Sequence, residues 1–375
     1  MDFSFDENFR DLADLTRTIL ADHVTPARLA EVEATGDRFD RALWTDLAKA
    51  GVLSAALPES VGGSGLGLLE QCAVLVELGR TVAPVPYLCS IVQSASAVAE
   101  FGTDTQRASW AAPAADGDVV LTAALSEEVG EDPARPTTFA EHASASAQWR
   151  LHGTKVAVPA GPVADLFLVP AETTAGLTVF LVTPDDVGVT VRRQQIVDGD
   201  AEAVVELDNV SLDEDRVLGA PGAGAAVVDW LSTRGMVGLC ALQAGVAAES
   251  LQMTATYATG RVQFERPIAT FQAVGQRLAD CYIDAEAIRL TLWQAAWRLS
   301  KNLPAHNEIA TAKFWAADGG HRIAHTAVHI HGGVGIDVDY PLHRYFVASK
   351  RIEFSLGGAT TQLRRIGTTL AAEPA

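Results

Sequence analysis

Apolar residues recur at three- and four-residue spacing in FRDLADLTRTILADH, RALWTDLAKAGVL and LLEQCAVLVELGRTVA, which predicts helices from residue 7 to about 112. LPESVGGSGLG (57–67), between the second and third of these, is too broken by proline and glycine for regular structure and predicts a loop. At about residue 118 the texture changes to short β-branched runs bounded by Gly, Pro and Asp: VVLTAAL, FLVPA, TVFLVT, GVTVRR and AEAVVELDNV. No helical pattern separates them, so the reading is an antiparallel β domain rather than a βαβ nucleotide fold. From about residue 222 the helical period returns in long segments: 225–261, 270–299, 307–333 with a bend at Gly319 and Gly320, and a fourth after Pro341. Four such helices predict an antiparallel bundle, with Trp293 and Trp297 one turn apart in its core. The expectation is an α+β chain with a helical domain over 1–117, a β domain over 118–220 and a helical bundle over 221–375.

Charge narrows the partners. A formal net charge of −19 over 375 residues disfavours nucleic acid, which needs a positive field, yet leaves room for a phosphate-bearing small ligand held by local arginines. The acidic amino-terminal stretch lacks the basic start and apolar middle of a secretory leader. No uninterrupted apolar run has the length of a membrane span. Cys72, Cys89, Cys240 and Cys281 are scattered without metal-ligand spacing, which predicts buried thiols in a cytoplasmic protein and no metal site. A cleft between a β domain and a helical bundle suits a flat, elongated cofactor.

Three stretches carry a resemblance: LPESVGGSGLG (57–67), GRVQFERPIATFQAVGQRLAD (260–280) and HIHGGVGIDVDYPLHRYF (329–346). Together with LVPAETTAGLTVFLVTPDDVGVTV in the β domain, and in this order over nearly the whole chain, they resemble the acyl-CoA dehydrogenase family. The resemblance implies a helical domain, a β-barrel and a helical bundle, FAD as cofactor, and a tetramer built from dimers. It also implies oxidation of an acyl-CoA thioester between Cα and Cβ, by a carboxylate that removes the α proton and a flavin that accepts a hydride.

The family's catalytic glutamate sits in a YEGT turn. Here that turn reads SLGG, so Leu356 holds the seat, or Gly357 with a one-residue shift. A second seat, just before an arginine on the first long bundle helix, holds Thr233 ahead of Arg234. None of the three is a base. The nearest carboxylates are Glu353, beside Lys350 and Arg351 and open to a plain ion-pair role, and Asp229.

In the family each FAD lies across a dimer interface, and the resemblance divides this chain's contacts unevenly. On the half donated to a neighbour's cofactor, Arg261, Phe264 and Gln272 stand at the family positions, as do Gly332, Gly333 and Gly335 of HGGVG. His329 replaces a common glutamine, and Glu265 replaces a usual glycine. On the half that holds a subunit's own flavin, TEPxxGSD becomes SEEVGEDP. Ser126 and Gly130 are kept there, while Glu128 and Glu131 are departures. The strand read as KWIT/SN in the family is KVAVPA, placing Val156 and Val158 beside the flavin, and Gly358 and Thr360 replace a threonine and a glutamine. A helix-end arginine, a ligand-free glycine turn and ordinary strand-core valines are the plainer alternatives.

The asymmetry implies an incomplete subunit that lends its half-site to a homologous, catalytically complete chain in an α2β2 assembly, a pattern of actinobacterial steroid degradation. The acyl-CoA and an electron acceptor would be its further partners. Two alternatives stand beside it: a self-sufficient enzyme with a relocated base, and a flavin-free interaction protein.

Overall fold

The computed structural model describes residues 5–130, 132–143 and 148–372. Packing divides the chain into two compact units, one of Met1–Pro26, Leu68–Ala83 and Met236–Ala375, the other of Ala27–Gly67 and Pro84–Gly235. The zones read from the sequence follow texture, whereas these units follow contacts.

The helices before the β domain are α1 (Glu7–His23), α2 (Pro26–Ala34), α3 (Arg41–Lys49), α4 (Leu68–Thr81), α5 (Ser96–Phe101), α6 (Asp104–Gln106) and α7 (Ala112–Ala115). π-helical runs at Leu88–Ala95 and Arg107–Ala111 lead into α5 and α7. Local chemistry sets several starts. Asp6 caps α1 by accepting from the Phe9 N–H, Asp40 caps α3 through Ala42 and Leu43, and Thr103 with Gln106 forms a capping box on α6. The LPESVGGSGLG loop is held by its own backbone, and Gly63 passes so close to the Leu57 carbonyl that a Cβ would lie 2.0 Å from its oxygen.

The β domain consists of β1 (Leu121–Ala123), β2 (Phe139–Ala143), β3 (Gln148–Pro159), β4 (Leu166–Ala171), β5 (Thr178–Val182), β6 (Val189–Gln194), β7 (Glu202–Asp213) and β8 (Val217–Leu218). They form two four-stranded sheets, β1-β4-β5-β8 and β2-β3-β7-β6. One core joins them, with Trp149, Leu151 and Val205 from one sheet meeting Phe167, Val169 and Phe180 from the other. The antiparallel expectation needs one correction, because β1 runs parallel to β4. β4 and β5 are buried on both faces, which is why their sequences read as unbroken apolar runs.

Five helices follow: α8 (Gly224–Gly260), α9 (Gln272–Ser300), α10 (His306–His331), α11 (Leu342–Phe354) and α12 (Ala359–Ala372). The fourth helix expected is thus two, broken at 355–358. α10 runs unbroken through Gly319 and Gly320, where a bend was expected. Gly320 serves packing instead, since a Cβ there would lie 2.5 Å from the Gln243 amide. Trp297 is exposed rather than in the core, while Trp293 packs edge-on against Phe5 and Phe9. α8 is long and apolar enough to cross a membrane by composition, but 61% of its apolar window is buried inside the protein, as in a core helix. All four cysteines are buried thiols.

Candidate functional site

Directly after α8 the chain makes a small hairpin, β9 (Val262–Gln263) and β10 (Arg266–Pro267). Its two turn residues, Phe264 (φ 52°) and Glu265 (φ 65°), are both left-handed, the geometry a two-residue hairpin requires and glycine or asparagine usually fills. Phe264 is 87% exposed at the tip, its ring edge-on to Phe271, over which Arg266 also lies. Arg261 opens the hairpin. Its N–H donates to the Tyr257 carbonyl, its carbonyl accepts from the Ile268 N–H, and its exposed guanidinium has no ion-pair partner among the described residues. Gln272, the first residue of α9, is exposed as well.

The glycine turn follows α10. Gly332 (φ 66°) ends the helix with its N–H on the Val328 carbonyl, and Gly332–Ile336 form a 3-10 turn. A Cβ at Gly332 or Gly333 would meet nothing within 4 Å, so the backbone is open to an approaching group. Gly335 differs: a Cβ there would lie 3.0 Å from the Val328 Cα. His329 is exposed on the last turn of α10. The fold ties this turn to the Arg261 hairpin through the Tyr257 ring, which stacks on His331 at 4.2 Å and donates its hydroxyl to the His331 carbonyl. The two elements so linked carry one guanidinium with no ion-pair partner among the described residues and a stretch of unobstructed backbone, each suited to an anion.

None of the residues at the two positions expected to hold the base, Leu356 or Gly357 and Thr233, has a carboxylate. Leu356 (φ 55°) and Gly357 (φ 95°) form the turn between α11 and α12, and the buried Gln362 amide donates to both their carbonyls, at 3.2 and 2.9 Å. On the α11 side, Lys313 donates to the carbonyls of Ile352 and Glu353. Burial pulls the Lys313 ammonium down to about 8, and burial pushes the neighbouring Cys240 thiol up to about 12. Thr233, at the second position expected to hold the base, is buried, and its hydroxyl donates to the Asp229 and Trp230 carbonyls of its own helix. Asp229 is exposed. Glu353 accepts from Lys350 at 2.9 Å and lies 3.2 Å from His321, the ion-pair role its neighbours suggested.

The half-site expected to hold the chain's own flavin is built differently. Ser126 is exposed, and its carbonyl accepts from the Val156 N–H. Gly130 is left-handed, Glu128 is exposed, and Glu131 lies outside the described residues. A bulge in β3 at Ala157 (φ 49°) turns Val158 into the sheet core, so only the half-buried Val156 remains near the surface where both were expected. Gly358 is half-buried and Thr360 is exposed at the start of α12. Pattern reading passed over Glu127. Burial alone would raise its carboxyl; hydrogen bonds from Lys155, Thr137 and Thr138 outweigh that and hold it at about 2. Lys155 itself is fully buried.

Comparisons with known proteins agree with this architecture. The family profile described as acyl-CoA dehydrogenase, N-terminal domain, matches residues 6–118, and that of the C-terminal domain matches residues 222–371. Acyl-CoA dehydrogenase FadE27 of Mycobacterium tuberculosis is 49% identical over the full length of both chains. Among solved structures, a chain of the ChsE4-ChsE5 complex from Mycobacterium tuberculosis superposes with a TM-score of 0.95 at 49% identity, covering 100% of each chain. A chain of a variant of the Tcur3481-Tcur3483 steroid ACAD superposes with a TM-score of 0.91 at 42% identity, covering 98% of each. On the profile matches, the full-length relative and the shared order of helical, β and helical domains, the chain belongs to the acyl-CoA dehydrogenase family.

Proposed function

We propose that this chain is the catalytically incomplete subunit of an FAD-dependent acyl-CoA dehydrogenase, working in the cytoplasm and completing the cofactor site of a homologous subunit that carries the glutamate. The observation that carries the reading is the contrast between two sets of residues. Leu356, Gly357 and Thr233 offer no proton acceptor, while Arg261 and the Gly332–Gly333 backbone remain exposed and unobstructed. Similarity to chains solved as the two-component ChsE4-ChsE5 and Tcur3481-Tcur3483 assemblies supports an α2β2 arrangement.

FAD, which acyl-CoA dehydrogenases bind, supplies the hydride acceptor for α,β-desaturation of an acyl thioester. Arg261 would neutralise the cofactor's diphosphate with its fork of donors, and Gly332 and Gly333 would let backbone approach it closely. Phe264, projecting at the hairpin tip, would cover an apolar part of the cofactor. Gln272, His329 and Ser126 would contribute polar contacts. The complete subunit would supply the α-proton base, and an electron acceptor would be a further partner. The small residues of SLGGA at the vacant turn favour a bulky or steroid side-chain CoA ester.

Co-expression with the product of a neighbouring acyl-CoA dehydrogenase-like gene tests the reading. One FAD per pair of chains, with activity only in the pair, is expected. One FAD per chain, or an active lone chain, overturns it.

A further inference from the structure

We infer that His331 is a positioning residue: clamped between Tyr257 and Tyr340, it fixes the Arg261 hairpin and the Gly332–Gly333 backbone in the one spatial relation that lets them grip a diphosphate together. The inference rests on the cofactor reading above and concerns how that half-site is held.

The His331 ring is buried, although the glycines directly after it are exposed. Its Nδ1 lies 2.8 Å from the Ala327 carbonyl, which can only accept, so Nδ1 carries a proton. Burial lowers the ring's affinity for a second proton, leaving Nε2 as an acceptor for the Tyr340 hydroxyl at 3.3 Å. One ring therefore spends both nitrogens on fixed partners. Its face is spent on Tyr257, stacked at 4.2 Å and 26°.

The consequence lies in what each partner is joined to. Tyr257 precedes Arg261 by one helical turn and accepts the Arg261 N–H, so the stack sets where α8 ends and the hairpin begins. The Tyr257 hydroxyl donates to the His331 carbonyl, the last peptide before Gly332. Tyr340 grips the chain on the far side of the 3-10 turn. The exposed binding elements have little packing of their own, since a Cβ at Gly332 or Gly333 touches nothing and Arg261 has no acidic partner among the described residues. Their relative placement is left to the three buried or half-buried rings beneath them.

The test is titration of the full-length chain with ADP, followed calorimetrically, for the parent, His331→Phe, Tyr340→Phe, Arg261→Ala and the His331→Phe/Arg261→Ala pair, with thermal unfolding in parallel. His331→Phe keeps an aromatic face for Tyr257 and deletes both nitrogens; Tyr340→Phe deletes one hydroxyl and guards against a misfolded histidine variant. Each is expected to weaken ADP binding about 5- to 10-fold with little change in melting temperature. The His331→Phe effect should largely vanish in the Arg261→Ala background, since it acts through that arginine. His331→Gln, which can still accept from Tyr340, should recover part of the loss. If Arg261→Ala weakens ADP but His331→Phe and Tyr340→Phe do not, or if the effects simply add, the positioning role is overturned and the cofactor reading stands. If the parent chain does not bind ADP, or Arg261→Ala binds as the parent does, the cofactor reading falls and this inference with it.

Discussion

The buried ammonium of Lys313 reaches across from α10 to the carbonyls of Ile352 and Glu353, at 2.9 and 3.2 Å, and so closes the carboxyl-terminal end of α11. Those carbonyls have no onward helical partner, and a cation is the favoured group at a helix end. Lys313→Ala removes the donors and opens a cavity, and should cost about 2–4 kcal/mol. Lys313→Met removes the donors but fills the space and relieves a buried charge, and should cost markedly less. Urea denaturation of both variants checks the order; equal losses would mean that the hydrogen bonds, rather than the volume, dominate.

Acid should erode the stability that Glu127 lends the fold. Its folded-state carboxyl, held at about 2, lies below the ordinary value of 4.5, so its contribution is complete above pH 4.5 and is lost as pH falls towards 2. Glu127→Gln strands the buried Lys155 and should destabilise by about 3–5 kcal/mol at neutral pH. Thermal melts from about pH 6 to about pH 2.5 should then show a shallower acid slope in the variant than in the parent.

Glu353 accepts from Lys350 and lies against His321. Glu353→Gln should leave turnover of the assembled enzyme within about twofold, because a partly exposed ion pair contributes little. A hundredfold loss in a dehydrogenase assay, with folding intact, would restore the relocated-base alternative.

At the hairpin tip, Glu265 holds a left-handed backbone that costs a side-chain-bearing residue about 1–2 kcal/mol. Glu265→Gly relieves that strain, less the added freedom of glycine in the unfolded chain, and should stabilise the protein by about 0.5–1 kcal/mol. Thermal unfolding reads the change directly. A destabilised variant would mean that the carboxylate makes a compensating contact.

How much of this was legible beforehand depended on where each residue's partners lie. β4 and β5 announce themselves because both faces are buried and every position is apolar. β2 does not, because most of FAEHA faces solvent and only Ala140 is buried. Arg261, HGGVG and the SLGG turn were readable as local spellings. Lys155 and Lys313 were not, since lysine is a surface residue by default and only the fold brings Glu127 or the end of α11 to meet them. Val158 looked like a neighbour of Val156 on one site until a single bulge turned it inward. Trp297 fits the bundle period, yet the face it occupies is exposed within this chain. Tyr257, one turn before Arg261, was in plain view but carried no signal until the ring beneath the glycine turn was seen.

Gln362 brings out one more property of the turn at Leu356. Its amide and the Lys313 ammonium hold the peptide carbonyls on either side of position 356, and neither touches the side chain there through a hydrogen bond. The frame is therefore indifferent to its occupant: a glutamate would meet the same left-handed backbone that leucine does. Such a socket separates shape from chemistry: the turn is held by its backbone, whatever side chain it presents.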